Sequence, residues 1–108
     1  HFPNKEVRIV ETAAYYSHEN DRWVKSADEY SEFYPVNAEG QRIFTRELVA
    51  ELRRHANVTG LFWWFPEENA SGNAVTEGWL NRGLFDNHTG KVLPAMEELS
   101  RFVQPIDR

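Results

Sequence analysis

The 108-residue sequence contains no cysteine, which excludes disulfides, thiolate catalysis and cysteine-ligated zinc. No apolar run approaches the roughly 18 to 20 residues of a membrane-spanning helix, and the first residues do not read as a secretion signal. Basic residues are outnumbered, 12 against 17 acidic ones, for a formal net charge of −5. This balance, without any basic block, argues against nucleic acid or an anionic membrane as a partner.

Aromatic residues, in contrast, make up 14% of the chain and hydrophobic residues 41%. Such a composition favours a folded protein over a disordered one, and the length allows at most one compact domain of ordinary size.

The hydrophobic pattern predicts the order strand, helix, strand, helix. Residues 6–12 read as a short strand rich in β-branched side chains, and the apolar run 61–65 as a strand buried on both faces. Apolar residues at helical spacing predict an amphipathic helix over about 38–55, capped by Asn37, and a last helix that begins at Pro94. This α/β order implies parallel strands joined by right-handed crossovers.

Long polar loops follow the C-terminal ends of both predicted strands, at 13–35 and 67–78. Open sheets and (β/α)8 barrels place their ligands at these ends. Because two parallel strands cannot close a barrel, and a full barrel takes about 250 residues, we expect the chain to be an incomplete part of a larger domain.

Glu11 is the strongest candidate for chemistry. By the two-residue period of a strand it shares a face with Val7 and Ile9, so a carboxylate ends an otherwise apolar row just before an aromatic loop. Partial desolvation at such a position suits a nucleophile or an acid–base catalyst. The alternative is a strand-end glutamate that reaches solvent and has no role in chemistry.

Several aromatic side chains are candidates to stack on sugar rings, whose C–H groups pack well on flat apolar faces. Trp64 stands where the second strand meets its loop, and its alternative is a place in the core. Tyr15, Tyr16, Trp23 and Trp79 lie in the loops and are weaker candidates.

Metal and cofactor motifs are not evident. The four histidines lack the spacing of a metal site, and there is no phosphate-binding glycine loop, serine elbow or nucleotide fingerprint. The run from His18 to Asp21 offers oxygen ligands for a hard cation, but it lacks the alternating ligands and the glycine of a calcium loop. The sequence therefore predicts no cofactor and does not support calcium.

Five runs, taken in order, resemble the C-terminal end of glycoside hydrolase family 53, the arabinogalactan endo-β-1,4-galactanases. They are Val7–Ala13, Tyr34–Gln41, Gly60–Trp64, Trp79–Asp86 and Gly90–Met96. Members of this family are retaining enzymes on a (β/α)8 TIM barrel. The resemblance therefore implies that residues 1–108 are the C-terminal part of a catalytic barrel, namely strands seven and eight with their helices.

The resemblance also implies roles for single residues. Glu11 matches the nucleophile that ends strand seven, and Trp64 matches a tryptophan that forms a sugar platform. The chain departs from the family at Phe65, where a glutamate often stands, and at Ala14, where an aromatic is usual, with Tyr15 and Tyr16 displaced by one or two positions. Some bacterial members bind calcium in this loop, but their ligand pattern is not evident between Ser17 and Ser26.

The activity so implied is hydrolysis of galactan and arabinogalactan side chains of pectin by double displacement, in a secreted, periplasmic or cell-surface parent protein. The partner acid of the family ends strand four, so we expect the 108-residue chain alone to be inactive. Neither Glu67 nor Glu68 stands in a motif that supports it as a replacement. The expected partners are β-1,4-galactan, the remainder of the barrel and, through exposed strand edges, further copies of the chain.

Two other interpretations stay open. One is a non-catalytic carbohydrate-binding module that uses Tyr15, Trp23, Trp64 and Trp79, although such modules are generally all-β sandwiches. The other is a purely structural fragment.

Overall fold

Two parallel strands and two helices alternate along the chain in a computed structural model that describes residues 4–67 and 79–105. In chain order they are β1 (Val7–Thr12), α1 (Ala38–Arg53), β2 (Val58–Trp63) and α2 (Ala95–Ser100), which a 3-10 turn at Arg101–Val103 extends. Strands β1 and β2 pair in parallel, and α1 packs against α2. The predicted βαβα order and parallel pairing are confirmed. Within the described ranges, no helix combines the length and the apolar character needed to cross a membrane.

The second strand begins earlier than the sequence predicted and ends at Trp63 instead of residue 65. Gly60 lies within the strand, opposite Arg8. A Cβ atom at this position would come within 3.0 Å of the Arg8 Cγ atom, so the glycine gives the arginine side chain room to cross the sheet. Helix α1 also ends two residues before the predicted boundary, at Arg53.

Strand β2 is buried on one face only, which corrects the prediction of burial on both. Trp63 is 7% exposed and packs in a core with side chains of both helices, among them Phe44 and Met96. Phe62 and Trp64 are 53% and 39% exposed. The reason is that both helices cover the Trp63 side of the sheet and leave the other side, here called the open face, uncovered. The predicted self-association stays a prediction.

A bulge in β1 changes the direction of Glu11. Ile9 pairs with Leu61 and Thr12 pairs with Trp63, so β1 has one residue more than β2 between these pairs. Bulges of this kind re-aim side chains beside strand ends. Val10 and Glu11 are consecutive and both exposed, whereas Ile9 is half-buried. Glu11 therefore joins Val10 on the open face, and the prediction that it shares a face with Ile9 is wrong.

The start of α1 is fixed by a cap and by a close contact. The Asn37 side chain accepts a hydrogen bond from the Gly40 N–H at 2.8 Å, as its position before the helix predicted. Gly40 lies against the preceding loop so closely that a Cβ atom would fall 1.7 Å from the Pro35 carbonyl oxygen. The loop that follows β1 thus returns to the helix through a contact that only glycine allows.

Replacement of Gly40 by alanine tests this contact through the sign of the stability change. Helix propensity alone would make Gly40→Ala stabilising by up to about 1 kcal/mol. The backbone clash predicts instead that the free energy of unfolding falls by about 2 kcal/mol or more. Urea unfolding followed by circular dichroism measures the difference. Ala50→Gly, at an exposed position of the same helix, is the control for propensity, and a stabilised Gly40→Ala variant would contradict the contact.

Candidate active site

A cavity of about 660 Å³ opens where the two strands end. The described residues that line it are Glu11, Thr12, Ala13, Ala14, Tyr15, Tyr30, Tyr34, Trp64, Trp79 and Arg82. Four of the six side chains singled out in the sequence therefore come together here: Glu11, Tyr15, Trp64 and Trp79. Trp23 is exposed and does not line the cavity. Three further lining side chains, Tyr30, Tyr34 and Arg82, were missed, because the loops that bear them have no periodicity to interpret.

Tyr16, another candidate from the sequence, is placed elsewhere. Its ring is buried and lines a second cavity of about 240 Å³, and its hydroxyl accepts a hydrogen bond from the Asn87 N–H at 3.0 Å. Burial raises the pKa of Tyr16 to about 12. Ala14 faces the core, and the extended backbone then directs Tyr15 into the first cavity and Tyr16 away from it.

Glu11 is exposed at the mouth of the larger cavity, where the bulge has placed it on the open face. Among the described lining residues it is the one carboxylate. An accessible carboxylate beside aromatic rings is suited to attack on a carbon atom of a bound sugar, or to hydrogen bonding with its hydroxyl groups.

Aromatic rings form two groups around Glu11. Tyr15 stacks on Tyr30 with ring centroids 6.1 Å apart, and Tyr30 stacks on Tyr34 at 6.3 Å; these three rings are the tyrosine wall. Burial raises the pKa of both Tyr15 and Tyr34, so their phenols stay protonated hydrogen-bond donors.

The second aromatic group is built at the end of β2. The Trp64 ring stacks on Phe65 at 4.1 Å, and Trp79 meets the edge of Phe65 at 5.7 Å. The peptide bond between Trp64 and Phe65 is cis. Phe65 thus separates two indoles that both line the cavity, and flat indole faces of this kind suit the C–H surface of a pyranose.

Arg82 brings a positive charge to the same cavity. One of its terminal nitrogens donates a hydrogen bond to the Tyr15 hydroxyl, and its guanidinium carbon lies 4.5 Å from the centre of the Tyr15 ring. The backbone is also fixed, because the Arg82 carbonyl accepts a hydrogen bond from the Trp63 indole at 2.6 Å.

Buried amides hold the two site loops together. Gln41 of α1 is fully buried, and its side-chain nitrogen donates to the Ala14 carbonyl at 3.1 Å and to the Gly83 carbonyl at 2.8 Å. Asn81 donates to the Glu19 carbonyl and to the Asp21 carboxylate, at 2.9 and 3.0 Å. Each amide therefore bridges the loop after β1 and the segment after β2.

The acidic run His18–Asp21 is largely engaged in such contacts. One oxygen of the buried Asp21 carboxylate accepts from the Trp23 and Val24 N–H groups, while the other accepts from Asn81. The Glu19 carboxylate pairs with His88 at 2.9 Å and raises the pKa of this exposed histidine. No cluster of three metal-ligating side chains occurs in the parts of the chain that the structure describes.

Comparison with known families decides what kind of protein carries this cavity. Residues 3–99 match the family model of glycosyl hydrolase family 53. The chain belongs to glycosyl hydrolase family 53. Comparisons with curated proteins and with solved structures gave no match.

Family 53 is a TIM-barrel family of glycoside hydrolases, so membership implies a glycosidase parent and a polysaccharide substrate. The two parallel strands and two helices are consistent with a piece of such a barrel. TIM-barrel enzymes bind their substrates at the C-terminal ends of the strands, and the larger cavity of this family 53 chain lies at those ends.

Gln41→Met tests whether the buried amide holds the family 53 site loops. The substitution keeps the volume but leaves the Ala14 and Gly83 carbonyls unpaired, so the free energy of unfolding should fall by about 2 to 3 kcal/mol in urea titrations. Thr45→Val is the matched control, because Thr45 is equally buried but bonds only to the Gln41 carbonyl of its own helix. Equal losses of unfolding free energy in the two variants would show that the hydrogen bonds from Gln41 to the two loops stabilise the fold no more than a bond within the helix does.

Proposed function

We propose that the chain carries the nucleophile of a retaining endo-β-1,4-galactanase that hydrolyses galactan and arabinogalactan side chains of pectin. The observation that carries this proposal is the position of Glu11, which the bulge in β1 turns into an aromatic-lined cavity at the strand ends. Family membership supplies the glycosidase class, and resemblance to galactanases at Glu11 and Trp64 supplies the finer assignment.

In this proposal β1 and β2 are strands seven and eight of a (β/α)8 barrel, and residues 1–108 form its C-terminal part. A barrel strand has one face toward the barrel interior and the other toward the helices. The sheet has this asymmetry, since both helices cover the Trp63 side and the open face bears Val10 and Phe62. The open face would be the lining of the barrel, completed by its other strands.

The chemistry proposed is double displacement. The Glu11 carboxylate attacks the anomeric carbon while a second carboxylic acid protonates the departing glycosidic oxygen, which leaves a glycosyl ester on Glu11. Water, deprotonated by the second group, then cleaves the ester and frees the carboxylate. Retaining enzymes hold the two carboxyl groups roughly 5 to 5.5 Å apart.

The second carboxyl group is proposed to come from another strand of the barrel. Glu11 is the one carboxylate among the described lining residues, and the exposed Glu67 is not one of them. Glu68 lies outside the described residues. By resemblance to the family, the acid ends strand four.

Glu11→Gln tests the nucleophile. In a barrel that contains this chain, kcat on β-1,4-galactan should fall by about a thousandfold or more, because an amide cannot form the glycosyl ester. Reducing-sugar release measures the rate, and Glu47→Gln on the exposed side of α1 is the matched control. The 108-residue chain alone should leave galactan intact. Turnover by that chain, or an unimpaired Glu11→Gln barrel, would refute the assignment.

Trp64→Ala tests the sugar platform. Loss of one stacking indole should weaken the binding of β-1,4-galacto-oligosaccharides by roughly 1 to 2 kcal/mol, seen as a higher Kd in calorimetry. The control is Trp23→Ala, since Trp23 is 64% exposed in the same loop system but does not line the cavity. Equal effects of the two substitutions would place the binding surface elsewhere. Binding that needs Trp64, together with full tolerance of Glu11→Gln, would favour the non-catalytic binding module.

A further inference from the structure

Arg82 is a charged group without a charged partner. Its Nε atom is buried and makes no hydrogen bond, and one terminal nitrogen bonds to the neutral Tyr15 hydroxyl. Within residues 4–67 and 79–105, every ion pair is formed by other side chains, so no carboxylate there neutralises Arg82.

Arg42, another half-buried arginine of this fold, differs from Arg82 because it has charged partners. It forms ion pairs with Glu39 and Glu98, at 2.5 and 3.0 Å. Removing a charge from water is costly unless an opposite charge compensates for it. Arg82 has only the ring and the hydroxyl of Tyr15 for compensation, although it lines the cavity in which Glu11 lies.

A bound anion would supply what Arg82 lacks. The planar guanidinium matches the geometry of a carboxylate, with which it forms paired, charge-assisted hydrogen bonds. We propose that Arg82 binds the carboxylate of a uronic acid residue within the polysaccharide that occupies this cavity. The inference rests on the proposed function, because it takes the cavity to be a sugar-binding site, and it adds the chemical class of the chain that fits there.

The two charges of the cavity would orient such a substrate. Glu11 repels the sugar carboxylate and Arg82 attracts it, so the acidic residue lies on the Arg82 and Tyr15 side and a neutral sugar faces Glu11. The protein would thus select neutral β-linkages that lie near a uronate in the polysaccharide.

The test compares two matched trisaccharides on the 108-residue chain by calorimetry. One is β-1,4-galactotriose, and the other is the same molecule oxidised at C6 of its non-reducing sugar to a carboxylate. We expect the acidic trisaccharide to bind roughly tenfold more tightly at low ionic strength, with a smaller preference in high salt. Arg82→Gln should remove the preference, because it lowers the affinity for the acidic trisaccharide roughly tenfold more than the affinity for galactotriose, while Arg82→Lys retains part of the preference. Arg46→Gln, on the surface of α1, is the control that keeps the preference.

Each remaining outcome counts against the proposal. Equal affinities in the unaltered chain, or a preference that survives Arg82→Gln, would show that Arg82 does not receive the carboxylate. An equal fall in both affinities for Arg82→Gln, with unchanged circular dichroism, would mean that Arg82 only holds Tyr15. Absence of binding by both trisaccharides would overturn the proposed sugar-binding function together with this inference, whereas loss of the preference alone would leave that function standing.

Discussion

The site depends on one buried amide, that of Gln41. A sheet of two strands contributes little stability by itself, so the loops that follow it need other restraints. Gln41 lies on the helix that joins the strands and donates one hydrogen bond to each loop, at Ala14 and at Gly83. Ala14 is next to Tyr15, and Gly83 is next to Arg82. The amide therefore sets the distance between the tyrosine wall and the guanidinium that contacts it.

The second constraint is the count of residues along the two strands. The extra residue of β1 before Thr12 turns Glu11 to the open face. Nearer the start of the sheet, β2 has an extra residue at Thr59, so each strand has one residue more than its partner at one place. The two irregularities act in opposite directions, so the strands are paired at both ends, Val7 with Val58 and Thr12 with Trp63. Without the bulge, the two-residue period would direct Glu11 to the helix side, where a carboxylate is costly and cannot meet a substrate.

The sequence predicts the elements well and the site only in part, for a physical reason. Periodicity and capping depend on neighbours along the chain, which is why α1, its Asn37 cap and the parallel βαβα order were found. A bulge depends on the partner strand, so the direction of the Glu11 side chain cannot be predicted from the sequence. Burial depends on which face of the sheet the helices cover, so the exposure of Phe62 cannot be predicted either. Gln41 and Arg82 were overlooked because a polar residue in an amphipathic helix or a loop normally faces solvent. Their importance follows only from contacts with residues distant in sequence.

At three places in this chain, one of two adjacent residues stabilises the fold and the other lines the cavity. Trp63 packs in the core while Trp64 lines the cavity; Tyr16 is buried while Tyr15 lines it; Asn81 bridges the loops while Arg82 lines it. At the first two places the cause is extended backbone, in which consecutive side chains point to opposite sides. Asn81 and Arg82 instead lie in a turn, which the hydrogen bond from the Arg82 N–H to the Trp79 carbonyl closes. Each of these three lining side chains is next to a residue that burial or hydrogen bonds hold in place. The three side chains therefore lose little conformational freedom when a ligand binds. The same arrangement explains why Arg82 can stay in a half-buried position without a counterion: Asn81, Gly83 and the Trp63 indole fix the backbone on either side of it.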